Sequence, residues 1–432
     1  MIKLKPFRAV RPPKEYAEEI ASRPYDVLSS AEARQEAGEK SLLHITKPEI
    51  NFMPTAYEYA SVTYDSGKKC FLQWIDKGWL FQDETEKYYI YAQTMDGRTQ
   101  YGLTACASAE DYESGKIKKH ELTREDKEKD RTRHVNEQNA NIEPVFLSYP
   151  DVEEMNELVA SIVETQSAEY DFTSGDGVRH QFWIVDSPEH IERITRIFEN
   201  VPALYIADGH HRTAAAAAVA KSRRLENPNH RGDEEYNWFM AVIFPESHLR
   251  IFDYNRLVKD LNGLSAEQFL DRLNENFTVE KQSSSNPYKP SALHNFSMYL
   301  AGSWYSLTAK KGTYNDADPV GGLDVTVLSD LVLGKILDIT DLRTSKRIDF
   351  VGGIRGLDIL GKRVDSKEMA VAFALYPVSM RQLINIADAG EIMPPKTTWF
   401  EPKLRSGLAI HLLVDNFKQL FTFNPFNPFF LK

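Results

Sequence analysis

Residues 203–220 constrain this chain more than any other stretch. Ala203-Leu204-Tyr205-Ile206-Ala207 is a short apolar run that stops at Asp208-Gly209, and His210-His211-Arg212-Thr213 then opens an Ala-rich segment through Ala218. A strand that breaks at a glycine and restarts as a helix is predicted, because Gly permits turns that other residues resist and Ala is the best helix former. Such a unit needs a sheet to join and a face to pack on, which selects a mixed α/β or α+β fold. The helix N-terminus would offer free N–H groups and a positive dipole end, a setting that favours a phosphate. Gly209, His210, Arg212 and Thr213 are therefore candidate phosphate or nucleotide contacts, with the Arg212 fork suited to phosphate oxygens. Asp208 and His211 are candidate catalytic groups, since ligands gather at the carboxyl ends of strands. The blander reading makes Asp208 an N-cap and the histidines surface or core residues. Adjacent histidines on a helix point about 100° apart, so no metal site built from protein alone is expected here. Magnesium carried on nucleotide phosphates needs only one or two carboxylates, and Asp208 could be one. His210 and Arg212 are expected to open onto a cleft.

Around this unit three zones can be read: 1–107, 108–245 and 246–432. In the first, a helix is expected over Glu15 to Ser22, a strand over Ser41 to Thr46 and a helix over Ala56 to Lys69. Lys87 to Thr94 and Thr99 to Thr104 flank Met95-Asp96-Gly97-Arg98, a strong hairpin signal. The middle zone reads as strands at Val145 to Tyr149, His180 to Val185 and Asn237 to Phe244, with a helix over Val152 to Thr165. The third has helices near Ser265 to Asn276 and Leu323 to Leu337, and strands near Phe296 to Leu300, Trp304 to Ala309 and Val371 to Tyr376.

Composition narrows the classes. With 52 basic against 63 acidic residues the formal charge is −11, which argues against broad duplex-DNA binding. Cys70 and Cys106 are too few for a disulfide framework. No apolar run approaches the roughly 20 residues of a membrane span, and the N-terminal residues lack the apolar core of a signal peptide, so a cytoplasmic location is expected. The P-loop, the GxGxxG fingerprint, kinase signatures and the GxSxG elbow are all missing from the sequence.

A second stretch carries chemistry-bearing residues. Gly115-Lys116-Ile117-Lys118-Lys119-His120-Glu121 precedes a dense charge run extending to His134. Most of that run reads as a solvated helix with Glu–Lys pairs, capped by Thr123 with Asp126 in its first turn. His120 and Glu121 fall just before the cap, at a loop or strand end.

Taken in order, several segments resemble a large prokaryotic family catalogued as a domain of unknown function. They are Arg23-Pro24-Tyr25-Asp26-Val27, Leu43 to Glu49, Gly115 to Glu121, Asp208 to Arg212 and Met393 to Leu404. Members are often labelled ParB-like, and the resemblance implies a ParB/sulfiredoxin-like core at 108–245 with added N- and C-terminal α/β regions. The same core occurs in free-serine kinases, where a His-Glu pair precedes an Asp-Gly-His-His-Arg motif and the glutamate acts as base on the serine hydroxyl. On that resemblance Glu121 is the catalytic base, and Asp208, His210, His211 and Arg212 serve the phosphates, magnesium and hydroxyl. Lys396 could hold an anion, or Pro394 to Thr398 could be a structural turn.

The implied activity is a small-molecule kinase making O-phosphoserine from free L-serine, with Mg2+ and ATP, ADP or pyrophosphate as donor. The chemistry agrees, because phosphoryl transfer asks for positioning, neutralised oxygens and a carboxylate near the attacking hydroxyl. The alternative is a ParB-like nucleotide-binding or DNA-associated regulator; a sulfiredoxin-like oxidoreductase would need a reactive thiol, and Cys106 is the nearest candidate.

Overall fold

The computed structural model describes residues 1–422. They form a mixed α/β structure of two compact units, Met1–Leu249 together with the chain from Pro402 onward, and Arg250–Glu401. Among the described residues no helix is long and apolar enough to cross a membrane.

The first unit is built on a nine-stranded sheet. Its parts in chain order are α1 (Ser61–Asp76), β1 (Tyr88–Met95), β2 (Arg98–Ser108), β3 (Ile117–Lys118), α2 (Glu125–Gln138), β4 (Val145–Tyr149), α3 (Glu153–Thr165), β5 (Tyr170–Thr173), β6 (Arg179–Val185), α4 (Pro188–Glu199), β7 (Leu204–Asp208), α5 (His210–Glu226) and β8 (Trp238–Pro245). The strand order is β3-β7-β4-β8-β2-β1-β6-β5, and Leu4–Lys5 adds to the end of β2. Only β3–β7 and β4–β8 are parallel; the remaining pairs are antiparallel.

The hairpin forms as its sequence predicts. Met95 faces Arg98 across Asp96-Gly97, whose φ values of 52° and 75° give the twist-matched turn that Gly accommodates at no steric cost. One sheet face buries Ile90, Leu103, Ala105, Leu147, Ile206 and Ile243 against Leu158, Ile162, Ile194 and Phe198 of α3 and α4. The sheet runs through residue 107, because β2 pairs with β8 from Leu103 to Ser108, so the first two sequence zones share one core. The division into two units thus differs from the three zones read above.

The second unit carries a six-stranded antiparallel sheet. Its strands are β9 (Tyr254–Val258), β10 (Phe277–Lys281), β11 (Asn295–Leu300), β12 (Ser303–Ala309), β13 (Ile348–Gly352) and β14 (Val371–Ala374), in the order β10-β12-β11-β14-β9-β13. Leu257, Tyr299, Trp304, Leu360 and Ala372 form its core.

Several local expectations change. Ser41 to Thr46 is not a strand: Leu43–Thr46 is one helical turn with Leu43, Ile45 and Thr46 buried. A short run buried on all sides has no periodicity to separate helix from strand. The helix expected from Ala56 begins at Ser61 and runs to Asp76. The helix expected over Leu323 to Leu337 is α-helical only at Asp324–Leu328 and widens to a π-turn at Ser329–Gly334. There the Ser329 hydroxyl donates back to the Val325 carbonyl, a bond that bends helices. Helix α2 is not simply solvated, since Asp130, Arg131, His134, Glu137 and Gln138 are buried along one face.

Close packing at β2 yields a stability prediction. A Cβ added at Gly102 would lie 2.6 Å from Val242 Cγ1 and 2.7 Å from Phe244 Cζ, both on the neighbouring strand and both buried. Gly102→Ala should destabilise the unit by about 1–3 kcal/mol through overpacking. A denaturant midpoint unchanged from the parent would refute this.

Candidate functional site

Two short strands bring the site together. In the parallel ladder Ile117 lies opposite Leu204 and Lys118 opposite Tyr205, a register of 87 positions. Glu121 and Asp208 are also 87 positions apart, although the ladder itself stops at Lys118 and Tyr205, and the Asp208 charge acts on His120. Parallel strands end together, so His120 and Glu121 emerge at the edge where β7 gives way to α5. The His120 ring then bonds the Ile206 backbone.

The turn itself depends on Gly209, which caps α5 with φ 89° and ψ 32°. In this left-handed region a side chain is strained, and a Cβ would also meet Arg212 Nε at 3.1 Å. Asp208 is therefore not the N-cap. Its Oδ1 accepts the Gly209 N–H at 2.8 Å, and its Oδ2 accepts Lys403 Nζ at 2.8 Å. Burial would raise the Asp208 pKa, but the Lys403 and Arg212 charges outweigh it and hold the carboxylate well below its usual range. Helix geometry leaves the N–H groups of His210, His211 and Arg212 without intrahelical partners.

Lys403 is the residue that sequence reasoning missed. It lay within a family-like segment, yet attention there went to Lys396. In the structure Lys396 belongs to the second unit, where its carbonyl accepts Arg256 Nη2 at 3.0 Å and its Nζ lies 5.7 Å from the Tyr254 ring. Thr397 closes a turn onto the Pro394 carbonyl at 2.6 Å. Lys403 is held in place by its neighbours: Gln93 donates to its carbonyl at 2.9 Å, and the Arg405 N–H donates to Tyr91 Oη at 3.2 Å. Arg405 also pairs with Asp176 and donates to Ser174 Oγ. His180 completes this anchor, with Tyr91 Oη 2.8 Å from Nδ1 and Ser174 Oγ 2.9 Å from Nε2.

The predicted residues divide into two groups. Glu121, Asp208, Gly209 and His210 come together at the strand ends. Glu121 Oε2 is 4.0 Å from His210 Nδ1, and the His120 and His210 rings meet edge to face at 4.6 Å. Burial drives His210 well below its ordinary pKa, so its ring is neutral. One ligand atom from His210, one from His120 and one from Glu121 lie within 4.8 Å of one another, a spacing that could hold a metal ion.

Arg212, Thr213 and His211 take other roles. Arg212 is 8% exposed and faces inward, not a surface cleft. Its Nη1 donates to the Pro144 carbonyl, Nη2 lies 3.8 Å from Asp26, and Glu143 is a further buried neighbour. The cavity it borders, about 40 Å³ and shared with Arg131, His134 and Glu143, is far too small for a nucleotide. Thr213 is fully buried and donates to the Gly209 carbonyl at 3.0 Å. His211 Nε2 accepts the Arg124 N–H at 3.0 Å, tying the lead-in of α2 to α5. Thr123 does not cap α2; its hydroxyl donates to Glu128 at 2.8 Å.

A family model described as "Protein of unknown function (DUF1015)" matches residues 4–326. No curated protein matches. Solved structures similar to this chain include a conserved hypothetical protein from Pyrococcus furiosus, 13% identical with a TM-score of 0.35, covering 72% of this chain and 95% of that one. A free serine kinase in complex with AMP is 12% identical with a TM-score of 0.35, covering 71% and 91%. SbnI with C-terminal truncation from Staphylococcus aureus is 10% identical with a TM-score of 0.37, covering 74% and 92%.

Two predictions follow from the buried charges. Arg212→Met leaves the Asp26 and Glu143 carboxylates facing an apolar side chain, so stability should fall by about 3–5 kcal/mol, as when one partner of a buried pair is removed. Equal denaturation midpoints for the two proteins would contradict the burial. For His180, burial and then the Arg405 charge lower the pKa from 6.5 to about 3, against an opposing pull from Asp176. The unfolded chain thus binds this proton more readily than the folded one, and the stabilisation present above pH 6.5 drains away as pH falls toward 3. His180→Gln should flatten that part of the stability–pH curve by a few kcal/mol, on the order expected for such a shift; coincident slopes would exclude it.

Proposed function

The chain belongs to the DUF1015 family of proteins of unknown function, and from that premise we propose that it is a phosphotransferase acting on the hydroxyl of free L-serine. The observation that carries this reading is the meeting of the Glu121 carboxylate, the Asp208–Lys403 pair and the N-terminus of α5 at one sheet edge. The motif resemblance to free-serine kinases and the ParB/sulfiredoxin-like core it implies point the same way.

Each group has a task in such a transfer. The free N–H groups at the start of α5 and the Lys403 ammonium neutralise phosphate oxygens of the donor, ATP, ADP or pyrophosphate. Asp208 holds Lys403 in position and fixes the Gly209 turn through its two oxygens. Glu121, its side chain 46% exposed, is placed to accept the serine proton as the hydroxyl attacks the terminal phosphorus and the donor's bridging oxygen leaves. Both Asp208 oxygens already accept an N–H, so magnesium fits here chiefly as an ion held by the donor's phosphates, with Asp208 at its margin. Arg212, His211 and Thr213 shape the turn from behind.

Incubation with L-serine, Mg2+ and each donor in turn should yield O-phosphoserine, read by mass spectrometry. Failure with all three donors would remove the activity. Glu121→Gln should lower kcat by about 10²–10⁴-fold with nucleotide affinity nearly unchanged, because it keeps shape and hydrogen bonding but removes the base. Wild-type turnover in that variant would overturn the role of Glu121.

A further inference from the structure

Phosphoryl transfer uses Glu121 but gives no task to the two imidazoles beside it. One ligand atom from each of His120, Glu121 and His210 lies within 4.8 Å of the others. His120 is 1% and His210 6% exposed, so both rings are walled by protein, whereas Glu121 leaves the triad open on one side. His210 turns its Nδ1 toward Glu121, while its Nε2 is a buried polar atom with no hydrogen-bond partner. The His120 ring is oriented by the Ile206 backbone, the kind of outer bond that fixes the tautomer of a ligating imidazole.

We propose that His120, Glu121 and His210 form a binding site for a divalent transition-metal ion of borderline softness, represented by zinc or cobalt(II). Two imidazoles and one carboxylate are the donor set such ions take, and three protein ligands leave a fourth position open toward solvent. Magnesium and calcium favour all-oxygen shells, so this ion is distinct from magnesium carried on a nucleotide. Ligand atoms about 2 Å from a tetrahedral ion stand roughly 3.3 Å apart. Glu121 Oε2 and His210 Nδ1 are 4.0 Å apart, a gap that a half-exposed glutamate closes by a small rotation.

One consequence rests on the phosphotransferase reading. A carboxylate committed to the ion cannot accept the serine proton, so zinc should inhibit transfer while magnesium supports it.

The test uses the full chain without a polyhistidine tag, stripped with chelator and dialysed. Titration with Zn2+ by calorimetry, and with Co2+ by visible absorption, is run without nucleotide or serine. One ion per chain is expected, with cobalt bands typical of nitrogen–oxygen coordination and no competition from Mg2+. Glu121→Gln, at a side chain 46% exposed, should weaken Zn2+ binding by at least about 10-fold while the melting curve of the metal-free protein is unaltered. His210→Gln should abolish the cobalt bands. Absence of stoichiometric binding, or Zn2+ affinity unchanged in Glu121→Gln, overturns the site. Phosphoserine formation by the stripped protein with Mg2+ is scored separately, so either reading can fail without the other.

Discussion

Parallel strands that end side by side put different parts of a chain at one edge, and the short ladder between β3 and β7 does this for Glu121 and Asp208. Only Ile117–Lys118 and Leu204–Tyr205 are paired, yet the register they set is the spacing that separates the two carboxylates. A slip of one residue would exchange the faces of β3 and turn His120 away from the Ile206 backbone. Everything between, including α2, β4, α3, β5, β6 and α4, is a connection that returns to the same edge. The sheet thus delivers both segments to one edge, and the bend after Lys118 carries His120 and Glu121 from there.

Beneath that edge lies a second constraint, a group of charges taken out of water. Arg212 is surrounded by Asp26, Asp208 and Glu143, while Arg131 lies 3.8 Å from the Tyr25 ring and 3.7 Å from Glu143. The Tyr25 N–H donates to Glu143 at 3.1 Å, so the Pro24-Tyr25-Asp26 turn near the start of the chain closes over the base of α5. Buried ions of this kind are costly unless each finds its partner, and removing one strands the rest. That arrangement explains why Arg212 faces inward. A guanidinium that balances three carboxylates from behind the turn sets the backbone of Gly209 and His210, leaving the cation beside Asp208 to the mostly buried Lys403.

The regular elements were legible where their signals were local. Asp96-Gly97 carries its turn in two residues, and α5 is spelled by its alanines. Ser41 to Thr46 was not legible, because a short run buried at every position but His44 looks alike as strand or helix. Helix α2 misled in the opposite sense: its charges suggested solvent, whereas Asp130, Arg131 and His134 pair with one another and with Tyr64 inside. Composition reports how many charges a helix has but not whether partners from elsewhere let them be buried.

What the amino-acid order determined alone was the strand–Gly–helix unit at 204–226 and the residues that could carry chemistry at its hinge. Those follow from backbone physics within a few residues: a positive φ that glycine accepts, and a helix start with open N–H groups. Which side chains share that hinge was decided by tertiary structure. Lys403 reaches Asp208 from 195 positions away because Gln93, Tyr91 and Asp176 pin its segment across the sheet. His120 and Glu121 reach His210 because β3 joins the sheet parallel to β7. Neither meeting is announced by a periodicity along the chain, since both depend on hydrogen bonds between strands, and between the sheet and the Lys403 segment, that exist only once the core has closed.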